Sequence, residues 1–145
     1  MLFARIVTGW TGLVWLGYGL WLIYDPTQLS YMGMAFNHWS VTVEVFAMYG
    51  FVEAGLGIFA LLGAFRPQHY LRANVVLWFL VFTGLWMGRM IGIALFNGDY
   101  TLTFGAAGLP AGYNPGTTYF YEFPFSVLFA IAWWKLRKAE ATALS

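Results

Sequence analysis

The sequence predicts an all-α fold, an integral membrane four-helix bundle formed by one domain. Three observations carry that expectation. Only 9% of the 145 residues are charged and 61% are hydrophobic, against roughly 25% charged in an ordinary soluble domain. The mean hydropathy is +0.68, and the apolar residues fall into four long runs. All but one of the basic residues sit near the termini or in one connection, leaving two other connections without any. This composition excludes a disordered chain and a nucleic-acid binder with a basic face. The chain has no Cys, which removes disulfides, thiolate metal sites and thiol catalysis.

A hydrocarbon core of about 30 Å needs roughly 20 apolar residues as helix. The first run, about 3–24, is too long for a secretory leader. Tyr24-Asp25-Pro26 follows it where a cleavage site would need small residues, so it is an uncleaved span. The second run covers about 42–64 and the third about 74–96. The fourth, about 118–134, contains Pro124, which removes one backbone bond and frees the carbonyl of Phe120, predicting a kink. None of the runs alternates as a barrel strand would. The connection 25–41 is apolar enough to lie along an interface or cap the bundle. The connection 97–117 is rich in Gly and long enough to serve as a lid or a partner contact.

Orientation follows from Lys and Arg. Arg5 precedes the first span, Arg66 and Arg72 lie in the connection 65–73, and Lys135, Arg137 and Lys138 follow the fourth span. Six of the seven basic residues therefore share one side, which predicts cytoplasmic N- and C-termini. Tyr24, Tyr31, Trp39, Tyr100, Tyr119 and Tyr121 mark the outer boundary, and Trp133 and Trp134 the inner one. Trp10, Trp15, Trp21, Trp78 and Trp86 lie within spans, where packing and lipid contact account for them more readily than a ligand box does.

Helices in lipid associate through close backbone approach, which small residues permit. The third span carries Gly84, Gly88 and Gly92 at four-residue spacing. The second carries Ala47, Gly50, Ala54 and Gly57 on one face. Gly9, Gly12, Gly17 and Gly19 form a less regular set on the first. Tight packing within the bundle explains these faces; the rival explanation docks a partner protein or a second copy in one groove.

Ionisable residues inside spans are costly and usually face the interior with a partner. Arg89, Glu44, Glu53 and Glu122 are such residues. At about 1.5 Å per residue, Arg89 lies roughly 10 Å below the outer surface, the half of the span that also holds Glu44 and Glu122. An Arg stays charged and favours a bidentate carboxylate, so Arg89 should pair with Glu122 or Glu44. Glu44 and Glu53 are nine residues apart and project about 180° apart on a regular helix. Glu53, one turn from Tyr49 and beside the small-residue face, should point inward. These groups form either an interhelical staple or a polar pocket for a small lipophilic ligand. His38 and His69 stand alone, the first as an interfacial residue and the second between Arg66 and Arg72. No cluster has metal-ligand spacing, and no cofactor is implied.

The stretch from Glu44 through Tyr49, Gly50 and Glu53 to Gly55 and Gly57, then Gly88-Arg89, then Glu122 opening the fourth helix, resembles a family of small bacterial four-helix membrane proteins. That family has no established activity and is loosely similar to the DoxX group. The resemblance covers about 42–138. It implies four helices and the bacterial inner membrane, and it lends no reaction. Family members often carry Arg where this chain has Phe46; if that Arg pairs with Glu44 in relatives, Glu44 here has lost its usual partner. Two functions follow as expectations. One is an accessory or structural subunit that docks to a larger membrane complex or to itself. The other is an amphiphile-, quinone- or lipid-binding protein, or a membrane enzyme, with Arg89 as anchor, Glu53 or Glu122 as acid/base and Tyr49 as an orienting hydroxyl.

Overall fold

The computed structural model describes residues 1–32, 36–96 and 118–143. The expected outer loop 97–117 lies outside the described residues, as do 33–35 of the first outer connection. Four helices make up the fold, and no strand occurs among the described residues. Helix α1 is Leu2–Tyr24. A 3-10 segment, Pro26–Met32, follows it. Helix α2 is Trp39–Phe65, α3 is Pro67–Phe96, and α4 is Phe123–Ala143, entered through the wide turn Thr118–Glu122. Helices α1, α2 and α3 are long and apolar enough to cross a membrane. Helix α4 is not among them. Its apolar part ends at Trp134, and Lys135, Arg137 and Lys138 occupy the turns beyond.

The helix boundaries have local causes. Asp25 ends α1 in extended backbone, and its carboxylate then accepts from the Thr27 N–H and hydroxyl and from the Gln28 amide, at 3.1, 2.6 and 2.6 Å. His38 caps α2, its Nδ1 accepting from the Ser40 N–H at 3.2 Å. The connection expected at 65–73 shrinks to Arg66 alone. Pro67 opens α3 because its missing N–H is no loss in a first turn, and Arg66 before it is pushed out of helical geometry, with φ −119° and ψ 64°. Residues 67–73 thus extend α3 rather than linking two spans.

Two wide turns depart from regular winding. Val45–Val52 inside α2 is π-helical, as is Thr118–Glu122 before α4. Bonding from i to i+5 puts more residues into each turn, so the 100° step per residue fails across Val45–Val52. The regular winding behind the expected 180° separation of Glu44 and Glu53 is absent here, yet Glu44 is exposed and Glu53 half-buried. Ala47, expected on one face with Gly50, Ala54 and Gly57, is exposed while those three are buried. Near Pro124 the ladder changes from i→i+5 to i→i+4 bonding, in place of a simple proline kink within one α-helix.

Helix α1 packs most extensively against α2, α2 against α3, and α3 against α4, with α4 closing back on α1. The α1–α2 contact is backbone against backbone. A Cβ placed on Gly57 would lie 2.7 Å from Leu16 Cα and 2.9 Å from the Gly12 carbonyl oxygen; one on Gly19 would lie 2.7 Å from the Gly50 carbonyl oxygen. Only glycine allows this approach. Phe82 of α3 centres the other half of the core, stacked on Phe129 at 5.9 Å and edge-on to Trp15 and Tyr121 at 6.1 and 5.5 Å.

Basic residues gather at one end. Arg5 Nε donates to the carbonyl of Ala64 at 2.9 Å, one of the last carbonyls of α2, which have no partner within the helix. Lys135 lies 4.6 Å from the Phe3 ring centroid, and Arg72 and Arg137 lie 5.4 and 5.9 Å from that of Trp133. Away from the ends the outward surface is apolar: Leu13 and Leu20 on α1, Phe51 and Ile58 on α2, Leu80 and Ile91 on α3, and Val127 and Ile131 on α4 are exposed.

Candidate functional site

The four candidate ionisable residues part company. Arg89 Nη1 of α3 pairs with Glu122 Oε1 at 2.5 Å, the two side chains being 28% and 5% exposed. Of the two carboxylates expected as partners, the structure selects Glu122. The wide turn Thr118–Glu122 sets it against α3. Six residues back along α3 and four forward along α4, the hydroxyls of Thr83 and Ser126 meet at 2.7 Å. That antiparallel step makes both contacts part of one seam joining α3 to α4. Glu44 is exposed, and Tyr49 is 38% exposed.

Glu53 turns inward and is half-buried. Its Oε2 is buried with no hydrogen-bond partner among the described residues, as is the indole Nε1 of Trp86. Tyr121 lies beside Trp15, and Glu53 and Glu122 are both near enough to act on its phenol through space. Glu53, Tyr121 and Glu122 therefore share one polar region of the bundle interior. Two surface depressions are found at the opposite, basic end. One is lined by Phe65, Arg66, Pro67, Gln68 and His69, the other by His69, Arg72, Ala73, Val76, Leu77 and Leu80. Neither reaches Arg89, Glu53 or Tyr49.

The small-residue faces have different fates. Gly50, Ala54 and Gly57 pack against α1. Gly84, Gly88 and Gly92 meet nothing: a Cβ on any of them would have no atom within 4 Å among the described residues. Packing among the described residues, the first explanation for these faces, does not account for the stripe on α3.

In the sequence Asn74 marks only the start of a span. It is fully buried, and its Nδ2 donates to the carbonyls of Phe59 and Tyr70, each at 3.0 Å. It ties α2 to α3 where Gly63 leaves room: a Cβ on Gly63 would lie 2.8 Å from Asn74 Cγ. An amide within reach of a glycine on the preceding helix was the signal available, but it needs the one-residue link at Arg66 to become readable.

No protein-family model, no curated protein and no solved structure matches the chain.

Proposed function

We propose that this chain is a multi-pass bacterial inner-membrane protein of accessory or structural type, with both termini cytoplasmic, that works by helix–helix association. The largely apolar outward surface between the ends and the gathering of basic residues at one end support the membrane placement. The likeness to small DoxX-like four-helix proteins belongs to the same proposal and carries a fold, not an activity.

One observation carries the association. Gly12, Gly19 and Gly57 each meet a neighbouring backbone, whereas the regular stripe Gly84, Gly88 and Gly92 stands open among the described residues, as do the isolated Gly17 and Gly55. The occupant is a second copy of the chain. All copies share one orientation, so their α3 helices run parallel, and the stripe is complementary to itself. A crossing of the glycine type is about −40°. Arg72 lies sixteen residues from Gly88, about 24 Å along the helix. Such a crossing displaces the two Arg72 positions sideways by about 16 Å, at right angles to the helix separation at Gly88. Like charges at the basic end are then beyond a Debye length of about 8 Å.

The chain lacks Cys, so Ser145→Cys gives a single labelling site. Energy transfer between donor- and acceptor-labelled copies in vesicles should rise with protein density and fall at least tenfold in apparent affinity in Gly88→Leu. Gly17→Leu is the control, because Gly17 is equally open on α1. Density-independent transfer, or equal effects of the two variants, defeats the proposal.

A second reading is favoured by Glu53 Oε2, buried without a partner beside Tyr121 and Glu122. It makes that region the polar end of a site for a small amphiphile or quinone. Retention of such a molecule by the wild type and its loss in Glu53→Gln, with folding unchanged, would support it.

A further inference from the structure

Four polar atoms in the half of the bundle nearer the basic end have no partner. The hydroxyls of Thr8 and Thr11 on α1, and Oδ1 of Asn74 and Nε1 of Trp78 on α3, make no hydrogen bond among the described residues. All four residues are 0% exposed. Buried polar groups in folded proteins are nearly always satisfied, by protein or by ordered water. Two of these atoms cannot rotate to find a partner. The Asn74 amide nitrogen donates to the carbonyls of Phe59 and Tyr70, each at 3.0 Å, which turns Oδ1 away from both. The Trp78 ring is packed between Trp15 and Phe82, with centroids 4.7 and 5.6 Å away, so its N–H points where packing sets it.

The four atoms lie at one level. Helices α1 and α3 both start at the basic end, so they run parallel, and they stand at opposite corners of the bundle. Trp15 meets both Trp78 and Phe82, at 4.7 and 6.1 Å, and this fixes their register. One turn back from Trp15 is Thr11, one turn back from Trp78 is Asn74, and Thr8 is a turn before Thr11. A Cβ on Gly9, beside Thr8, would lie 3.2 Å from Ala64 Cβ, and one on Gly63 would lie 2.8 Å from Asn74 Cγ. Thr8 and Asn74 therefore flank the same turn of α2. The side chains around this level are small: Gly63 and Ala64, with the fully buried Ala60 and Ala132 in the same cluster as Trp78.

We propose that two water molecules bind between α1 and α3 at this level, as a fixed part of the fold. The first accepts from the Trp78 N–H and the Thr11 hydroxyl and donates to the second. The second also accepts from the Thr8 hydroxyl and donates to Asn74 Oδ1. Two are needed because Asn74 and Trp78 stand about 6 Å apart along the helix. Each water then makes three hydrogen bonds, the usual number for a buried one, and each of the four protein atoms is satisfied. The pair bridges diagonal helices that meet less extensively than adjacent ones do. In the rival, dry arrangement each Thr hydroxyl turns to the carbonyl four residues back on α1. That leaves Asn74 Oδ1 and Trp78 Nε1 with nothing. Phe82 stands between Trp78 and Tyr121, so this site is distinct from the polar region around Glu53.

The inference depends neither on self-association nor on a ligand near Glu53. The decisive experiment is water-edited solid-state NMR of the full chain in phosphatidylcholine vesicles. Magnetisation that starts on water should reach the Trp78 indole N–H and the Thr8 and Thr11 side chains at short mixing times. The side chains of Leu22 and Val45, as deeply buried in the apolar cluster with Leu29, should receive none. Thr11→Val keeps the shape and removes one hydroxyl, so transfer to the Trp78 indole should drop to the level of Leu22. Thr11→Ser restores the hydroxyl and should restore the transfer. Thr83→Val removes a hydroxyl that bonds to Ser126 and should leave the Trp78 signal intact. A wild-type Trp78 indole that receives no more than Leu22 overturns the proposal, and that comparison stands even where a variant does not fold. Leu22 as strongly reached as Trp78, unchanged transfer in Thr11→Val, or equal loss in Thr83→Val overturns it too.

Discussion

The Arg89–Glu122 pair makes a quantitative test of how α3 and α4 are held together. Glu122 is 5% exposed and Arg89 28%, so the two partners are unequal. Arg89→Met removes the cation and leaves a buried carboxylate without it, a change that costs about 3–5 kcal/mol in buried pairs. Glu122→Gln is milder. Arg89 retains a route to the surface along its own stem, and Gln still offers an acceptor, so about 1–2 kcal/mol is expected. The double variant removes both charges and should be no worse than Arg89→Met alone, and better if the buried carboxylate is the main penalty. The coupling energy should reach about 2–3 kcal/mol, the upper part of the range for contacting residues. It should also exceed the ~0.6 kcal/mol average for neutral hydrogen bonds between membrane helices. Equilibrium unfolding by steric trapping in bicelles measures all four corners of the cycle. A coupling below about 0.5 kcal/mol would mean that the pair does not staple the helices. Full stability in Arg89→Met would direct attention to a binding role for that residue instead.

Three further outcomes follow from contacts within the bundle. Gly57→Ala should destabilise by at least about 1–3 kcal/mol, because its Cβ meets backbone of α1 that cannot rotate away, whereas Gly17→Ala should stabilise by up to about 1 kcal/mol; thermal melts in detergent compare them. Gly63→Ala should lower the melting temperature in the wild type and much less in Asn74→Ala, whose shortened side chain vacates the space, although Asn74→Ala itself should cost about 1–3 kcal/mol. Hydrogen bonds from the Thr27 hydroxyl, then the Gln28 side chain, hold the exposed Asp25 carboxyl below its ordinary value of 3.8. The depressed value means that this turn's contribution is complete above the unfolded value and is lost as pH falls through the lower folded one. A carboxyl-detected NMR titration should show Asp25 below 3.8, and Thr27→Val should move it upward; an unchanged midpoint would refute the assignment.

What the sequence by itself determined is what depends on neighbours along the chain. Apolar run length, low charge and the placement of Arg5, Arg66, Arg72, Lys135, Arg137 and Lys138 sufficed for an all-helical bundle whose basic residues share one end. Hydropathy and charge position are one-dimensional properties, so they survive folding unaltered. The tertiary structure decided everything that turns on register and adjacency. It chose Glu122 over Glu44 for Arg89, because the wide turn before α4 sets that carboxylate against α3. It broke the helical wheel at Val45–Val52, where i→i+5 bonding changes the angle per residue and leaves Ala47 outside. It joined α2 to α3 through Arg66 alone, which brings Asn74 beneath Gly63. It also separated glycine stripes that look alike in sequence. Close approach needs a second backbone at the right distance and crossing angle. Helix α1 meets that condition for Gly50 and Gly57, and no described helix meets it for Gly84, Gly88 and Gly92.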